Sequence, residues 1–178
     1  MTPIDIRPEI LTADYTGEPG DRTFFIQSKG EAVRSYLAEK QQVSLLAEKL
    51  REILLTIDDA DTVVQAQPAR DPAYALDAPI EPEWRVGPIG LGYVEDEDEI
   101  VISLGPANEE ETEEEADPEE IEERFEVRFV LRRDQARGFV LHALAAVSEG
   151  RPTCQLCGLP MDPAGHKCPA SNGHRMGV

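Results

Sequence analysis

At 178 residues, with 40% apolar and 30% charged side chains, the chain is long enough for one sizeable core and ordinary in composition for a single globular domain. Its formal charge of −19 argues against a binder of nucleic-acid phosphates, and no apolar run nears the roughly 20 residues that span a bilayer. Met1-Thr2-Pro3-Ile4-Asp5 has neither the basic nor the apolar region of a signal peptide, and three cysteines do not suit a disulfide framework, so a cytoplasmic protein is expected.

Residues 4–15 mix β-formers with turn residues and run into Gly17-Glu18-Pro19-Gly20-Asp21, a cluster of turn formers. Thr23-Phe24-Phe25-Ile26-Gln27 predicts a short strand, and Ala32–Ala38 another after the Ser28-Lys29-Gly30 turn. From about Glu39 to Ile57 the period changes. Val43, Leu46, Ala47, Leu50, Ile53, Leu54 and Ile57 recur at helical spacing and predict an amphipathic helix. Pro68, Pro72, Pro79 and Pro82 then impose an extended connection, because each proline restricts the residue before it.

Trp84–Val94 and Ile100–Leu104 read as strands, with Gly90 and Gly92 permitting a bulge or a close backbone approach. Phe125, Val127, Phe129 and Leu131 alternate with Glu126 and Arg128, which predicts a strand with one buried face. A second helix is expected from about Asp134 to Ser148, its stripe formed by Ala136, Phe139, Val140, Ala143, Leu144 and Val147, with Gly150 as its stop.

The two halves share an order of strands followed by a helix. Laying Leu37–Val43 on Leu131–Arg137 puts Gln41 over Gln135 and Leu50 over Leu144, and predicts an internal β-β-β-α duplication. The expected fold is α+β, an antiparallel sheet of about six strands with two helices on one face, over residues 1–150. Residues 151–178 form a separate tail.

The acidity is local. Residues 95–99 carry five acids and 109–123 eleven more, and without them the rest of the chain has a net charge of −3. Like charges in blocks repel and resist packing, so the segment 106–123 is expected to be a solvated loop inserted between two strands.

All three cysteines lie in the tail, as Cys154-x-x-Cys157-Gly158 and His166-x-Cys168, with His174 beyond. A Cys-x-x-Cys turn aims two thiolates at one point, and Cys168 supplies a third. His166, two residues from Cys168, is the favoured fourth ligand of a zinc ion, with His174 the alternative. Four protein ligands leave no open position, so the zinc is expected to be structural, a zinc knuckle.

Together, Gly17-Glu18-Pro19-Gly20-x-Arg22-x-Phe24-Phe25-Ile26-Gln27, Glu39-Lys40-Gln41-Gln42-Val43 and Gly150-Arg151-Pro152-x-Cys154-x-x-Cys157-Gly158, with Asp162-x-x-Gly165-His166-x-Cys168-Pro169 and Asn172-Gly173, resemble an actinobacterial family known only as domain of unknown function 3090. The resemblance implies that the position of His174 is often tyrosine, which favours His166 as ligand. It also implies a genomic association with a phosphoinositide-kinase-like protein and a phosphomutase-like phosphatase. It implies no activity.

Outside the tail, Glu39, Lys40, Gln41 and Gln42 lie where a strand becomes a helix, and Arg22 and Gln27 on the preceding hairpin could join them in a polar ligand pocket. Helix capping is the plainer role for Glu39. His142 sits beside the apolar stripe of its helix and reads as a structural histidine. There is no Gly-x-Ser-x-Gly elbow and no phosphate-binding Gly-x-x-x-x-Gly-Lys loop, and Gly87-x-x-Gly90-x-Gly92 lacks the context of a dinucleotide site. The arginines from Arg124 to Arg137 are expected to neutralise the acids beside them. Two functions remain: a zinc-stabilised protein-interaction module without catalysis, or an enzyme or ligand-binding protein built on Arg22, Gln27 and Lys40–Gln42.

Overall fold

In the computed structural model, which describes residues 2–18, 20–57, 67–108 and 117–149, Pro8 lies between β1 (Ile4–Ile6) and β2 (Ile10–Thr16). β2, β3 (Thr23–Lys29) and β4 (Arg34–Ala38) form an antiparallel meander that leads into α1 (Lys40–Ile57). The proline-rich connection contains one 3-10 turn, Pro72–Tyr74, and leads to β5 (Pro82–Val94). β5, β6 (Glu99–Pro106) and β7 (Val127–Leu131) form a second meander, with α2 (Pro118–Glu123) in its last connection and α3 (Arg133–Ser148) after it.

The strands run β1-β7-β6-β5-β4-β3-β2 across one sheet, with β1 parallel to β7 and β4 parallel to β5. The fold is α+β, as expected, but its seven-stranded sheet is mixed and three α-helices accompany it, where the pattern predicts about six antiparallel strands and two helices. Two prolines and the α1 crossover, which brings β5 back parallel to β4, account for the difference. Pro8 interrupts the first extended segment, so its two halves pair with different neighbours. Pro118, at the start of α2 with Glu119 and Glu120 in the first turn, starts a helix inside the acidic segment, where charge alone suggests a loop.

β1 and β2 stand at opposite edges of the sheet, yet only Arg7, Pro8 and Glu9 separate them. Four Cα steps reach at most about 14 Å. Seven strands laid flat would place their edges about 29 Å apart. The sheet must therefore curl round, and the β1–β2 segment joins its edges. β5 repeats this behaviour, because its first residues, through Arg85, pair with β4 and those from Val86 onward pair with β6, with a register shift between Val86 and Ile89.

The β-β-β-α order thus occurs twice, with one cross-strand register. Tyr15 faces Phe24 as Tyr93 faces Ile100, and Ile26 faces Tyr36 as Ile102 faces Phe129. The helix starts correct the sequence overlay by one residue. Gln42 Oε1 accepts the Glu39 N–H at 2.9 Å, and Gln135 Oε1 accepts the Arg132 N–H at 2.9 Å, so Gln42 and not Gln41 is the counterpart of Gln135. Each glutamine also donates from Nε2 to carbonyls at a bend in the crossing strand. Gln42 reaches Val86 O at 2.9 Å, and Gln135 reaches Pro8 O at 2.7 Å and Glu9 O at 3.0 Å. Carbonyls at such a bend have left the sheet ladder, and the side-chain amide satisfies them.

One core serves both halves. Val43, Leu46, Ala47, Leu50 and Leu54 of α1 and Ala136, Phe139, Val140 and Ala143 of α3 pack with inward residues of the sheet. Tyr36 and Phe129, fully buried, meet at 5.9 Å between ring centroids. Full burial of a phenylalanine side chain such as that of Phe129 is worth about 1.5–3 kcal/mol.

Candidate functional site

β2 is apolar at Leu11 and Ala13, yet its alternate residues Thr12 and Asp14 are buried as well. Asp14 is 2% exposed, and a carboxylate there must be compensated. His142, one residue before Ala143 in the apolar stripe of α3, places Nε2 2.8 Å from Asp14 Oδ2. The Asp71 backbone N–H donates to His142 Nδ1 at 3.0 Å, so Nδ1 is the acceptor and Nε2 carries the ring proton. Arg70 binds the other carboxylate oxygen at 2.6 Å, and the Tyr15 N–H donates to it at 2.7 Å. Burial pushes the Asp14 carboxyl up, but the His142, Tyr15 and Arg70 hydrogen bonds together prevail and hold it below its ordinary value.

Arg70 also meets Glu149 at 3.2 Å, and the Tyr15 hydroxyl donates to the same Glu149 oxygen at 2.8 Å. Arg22 lies over the Tyr15 ring, 4.7 Å from its centroid, and donates to Ala146 O at 3.1 Å, near the end of α3 where helix carbonyls lack partners. Two arginines, two carboxylates, a tyrosine and a histidine therefore meet at one end of α3. A histidine–aspartate pair of this kind becomes a catalytic relay when the far nitrogen faces a nucleophile. Here that nitrogen faces a backbone amide, and the ring is 1% exposed. The arrangement fastens the 69–77 segment to α3 and β2.

That fastening continues along the segment. Tyr74 stacks beside His142 at 5.9 Å, its carbonyl accepts from the Thr12 hydroxyl at 2.6 Å, and a Cβ on Gly138 would overlap its ring. Glycine at position 138 is required by this close approach.

The expected pocket residues take separate partners. Gln27, fully buried, accepts the Asp77 N–H at 2.8 Å and donates to Asp77 O and to Ser35 Oγ, both at 3.0 Å. Gln42 spans from Glu39 to β5, and Arg22 turns toward α3. Glu39 contributes its backbone N–H to the Gln42 bond, Gln41 is exposed on the first turn of α1, and Lys40 is its first residue. The structure gathers Arg22 with Tyr15, Arg70 and Glu149, and does not bring Gln27 and Gln42 to it.

Sequence reasoning passes over Asp14, Arg70 and Tyr74. The available signal is a charged residue inside an otherwise apolar strand and a histidine on a helix stripe, and only topology shows that they meet. The proposed zinc ligands Cys154, Cys157, His166 and Cys168, and the alternative His174, lie outside the described residues, as does 109–116 of the acidic insertion.

Concavities are also present away from the Asp14–His142 pair. A cleft of about 630 Å³ at the β1–β2 bend mixes Asp5, Glu9 and Glu31 with Arg7, Lys29 and Arg34. Lys29 is committed there, donating to Ala73 O at 3.1 Å and to Ala75 O at 2.5 Å. A groove of about 270 Å³ between α1 and β5 is mainly apolar, lined by Leu45, Leu46, Pro88, Ile89 and Leu91 with Gln42 and Lys49. Among the described residues no helix is long and apolar enough to cross a membrane.

A family model described as a protein of unknown function, DUF3090, matches residues 6–168. No curated protein and no solved structure matches the chain.

Proposed function

The chain belongs to the DUF3090 family, and from that premise we propose that it is a protein-interaction module without catalysis of its own, held at its C-terminal end by one structural zinc ion. The observation that carries this reading is the use made of the polar side chains. Gln27, Gln42, Gln135 and the Asp14–His142 pair are all spent on backbone groups, on each other, or on Ser35 and Arg70. A ligand pocket on Arg22, Gln27 and Lys40–Gln42 would need side chains to converge on a shared space, and Arg22, Gln27 and Gln42 engage three different parts of the chain.

What remains for recognition is surface. The acidic residues 95–99 and 109–123 offer dense negative charge to a basic face, which suits steering and specificity more than raw affinity. The family resemblance suggests a phosphoinositide-kinase-like or phosphomutase-like protein as the partner, in the cytoplasm. The same charge disfavours nucleic acid.

Cys154, Cys157, His166 and Cys168 would hold the zinc, and a segment with so few apolar residues gains its order from such a metal. Protein purified without chelator is expected to contain one zinc per chain, and Cys157→Ser to lose it. A wild-type content below about half an equivalent contradicts the zinc assignment, since structural sites of this kind hold metal with roughly 10–16 kcal/mol of apparent free energy.

A further inference from the structure

The α1/β5 groove has a counterpart in the other half of the molecule, and that counterpart is filled. Counted from the paired glutamines, Leu45 lies three residues after Gln42 and Gly138 three after Gln135, while Lys49 and His142 each lie seven after. Tyr74 occupies the α3/β2 side, against Gly138 and His142. On the α1/β5 side Leu45 is 56% exposed over Ile89 and Leu91, with no described segment across it.

Chain order says what fills each place. The segment on α3 and β2 is the one that follows α1, and Tyr74 comes 17 residues after Ile57. By the same symmetry the segment for the α1/β5 groove is the one that follows α3. That segment is residues 150–178, long enough to travel as far, and Leu156, Leu159 and Met161 fall within the first dozen of its residues. We infer that the α1/β5 groove is the docking site of the C-terminal Cys/His segment of the same chain, seated by its apolar side chains as Tyr74 is seated on α3. The inference rests on the groove and the repeat, and it holds whether or not the segment carries zinc.

The test uses the full chain with Leu45→p-benzoylphenylalanine, prepared as a mixture of ¹⁴N- and ¹⁵N-labelled protein and irradiated. The expected product joins position 45 to a peptide within residues 151–168 carrying the same isotope. Cross-links between differently labelled chains, or an absence of any cross-link to residues 151–168, overturn the proposal in favour of a second copy or an outside partner. A second measurement needs no unnatural residue. Leu45→Glu is expected to speed amide exchange in residues 151–168 by about tenfold, while Leu55→Glu, exposed on α1 outside the groove, leaves it unchanged. Equal exchange in both variants also overturns it.

Discussion

Asp14→Ala is expected to lower the free energy of unfolding by about 3 kcal/mol at neutral pH, as buried groups left without their acceptor typically cost. The substitution strands the His142 Nε2–H, the Tyr15 N–H and one Arg70 donor, and with them the attachment of the 69–77 segment to α3. The comparison has a defined pH dependence. Because the folded protein holds the Asp14 carboxyl below its ordinary value of 3.8, the unfolded chain binds the proton more readily. The contribution is therefore fully present above that value and is lost as pH falls through the depressed folded value. Denaturant titrations of wild type and Asp14→Ala should show a gap that narrows below pH 3.8 and is constant from pH 5 to 7. A gap that widens with acid would mean that the carboxyl is not stabilised in its charged form.

Gln135→Leu is expected to cost about 3 kcal/mol and Gln42→Leu about 1 kcal/mol, because a lost partner costs most where water cannot replace it. Gln135 is 4% exposed and satisfies the Arg132 N–H with the Pro8 and Glu9 carbonyls. Gln42 makes the equivalent bonds from a half-exposed position. Equilibrium unfolding of the two variants measures the difference. Equal losses would show that the two bends are equally dry.

Periodicity locates both long helices to within a residue at α1 and α3, and the alternation of Phe125 to Leu131 identifies β7, because burial on one face imprints a local pattern. Pairing does not imprint one. Nothing in Ile4-Asp5-Ile6 announces a parallel partner at Val127–Phe129, since the strand gains that partner only when Pro8 lets the chain turn away from it. The repeat is visible as an order of elements, while its register is decided by which glutamine caps each helix. Gln41 and Gln42 look alike in sequence, and only the latter reaches β5. The Asp14–His142 pair is hidden for the same reason, because 128 residues separate its members and neither belongs to a motif. The Cys and His spacing of the tail is by contrast a local pattern, and it lies outside the described residues.

Native mass spectrometry of the full chain, captured without chelator from the cells that make it, tests the interaction reading most directly. The expected species is one chain with one zinc ion, in a stoichiometric complex with a second protein that releases it as salt is raised. A spectrum dominated by the chain alone, at its bare mass of 19.7 kDa, would contradict it.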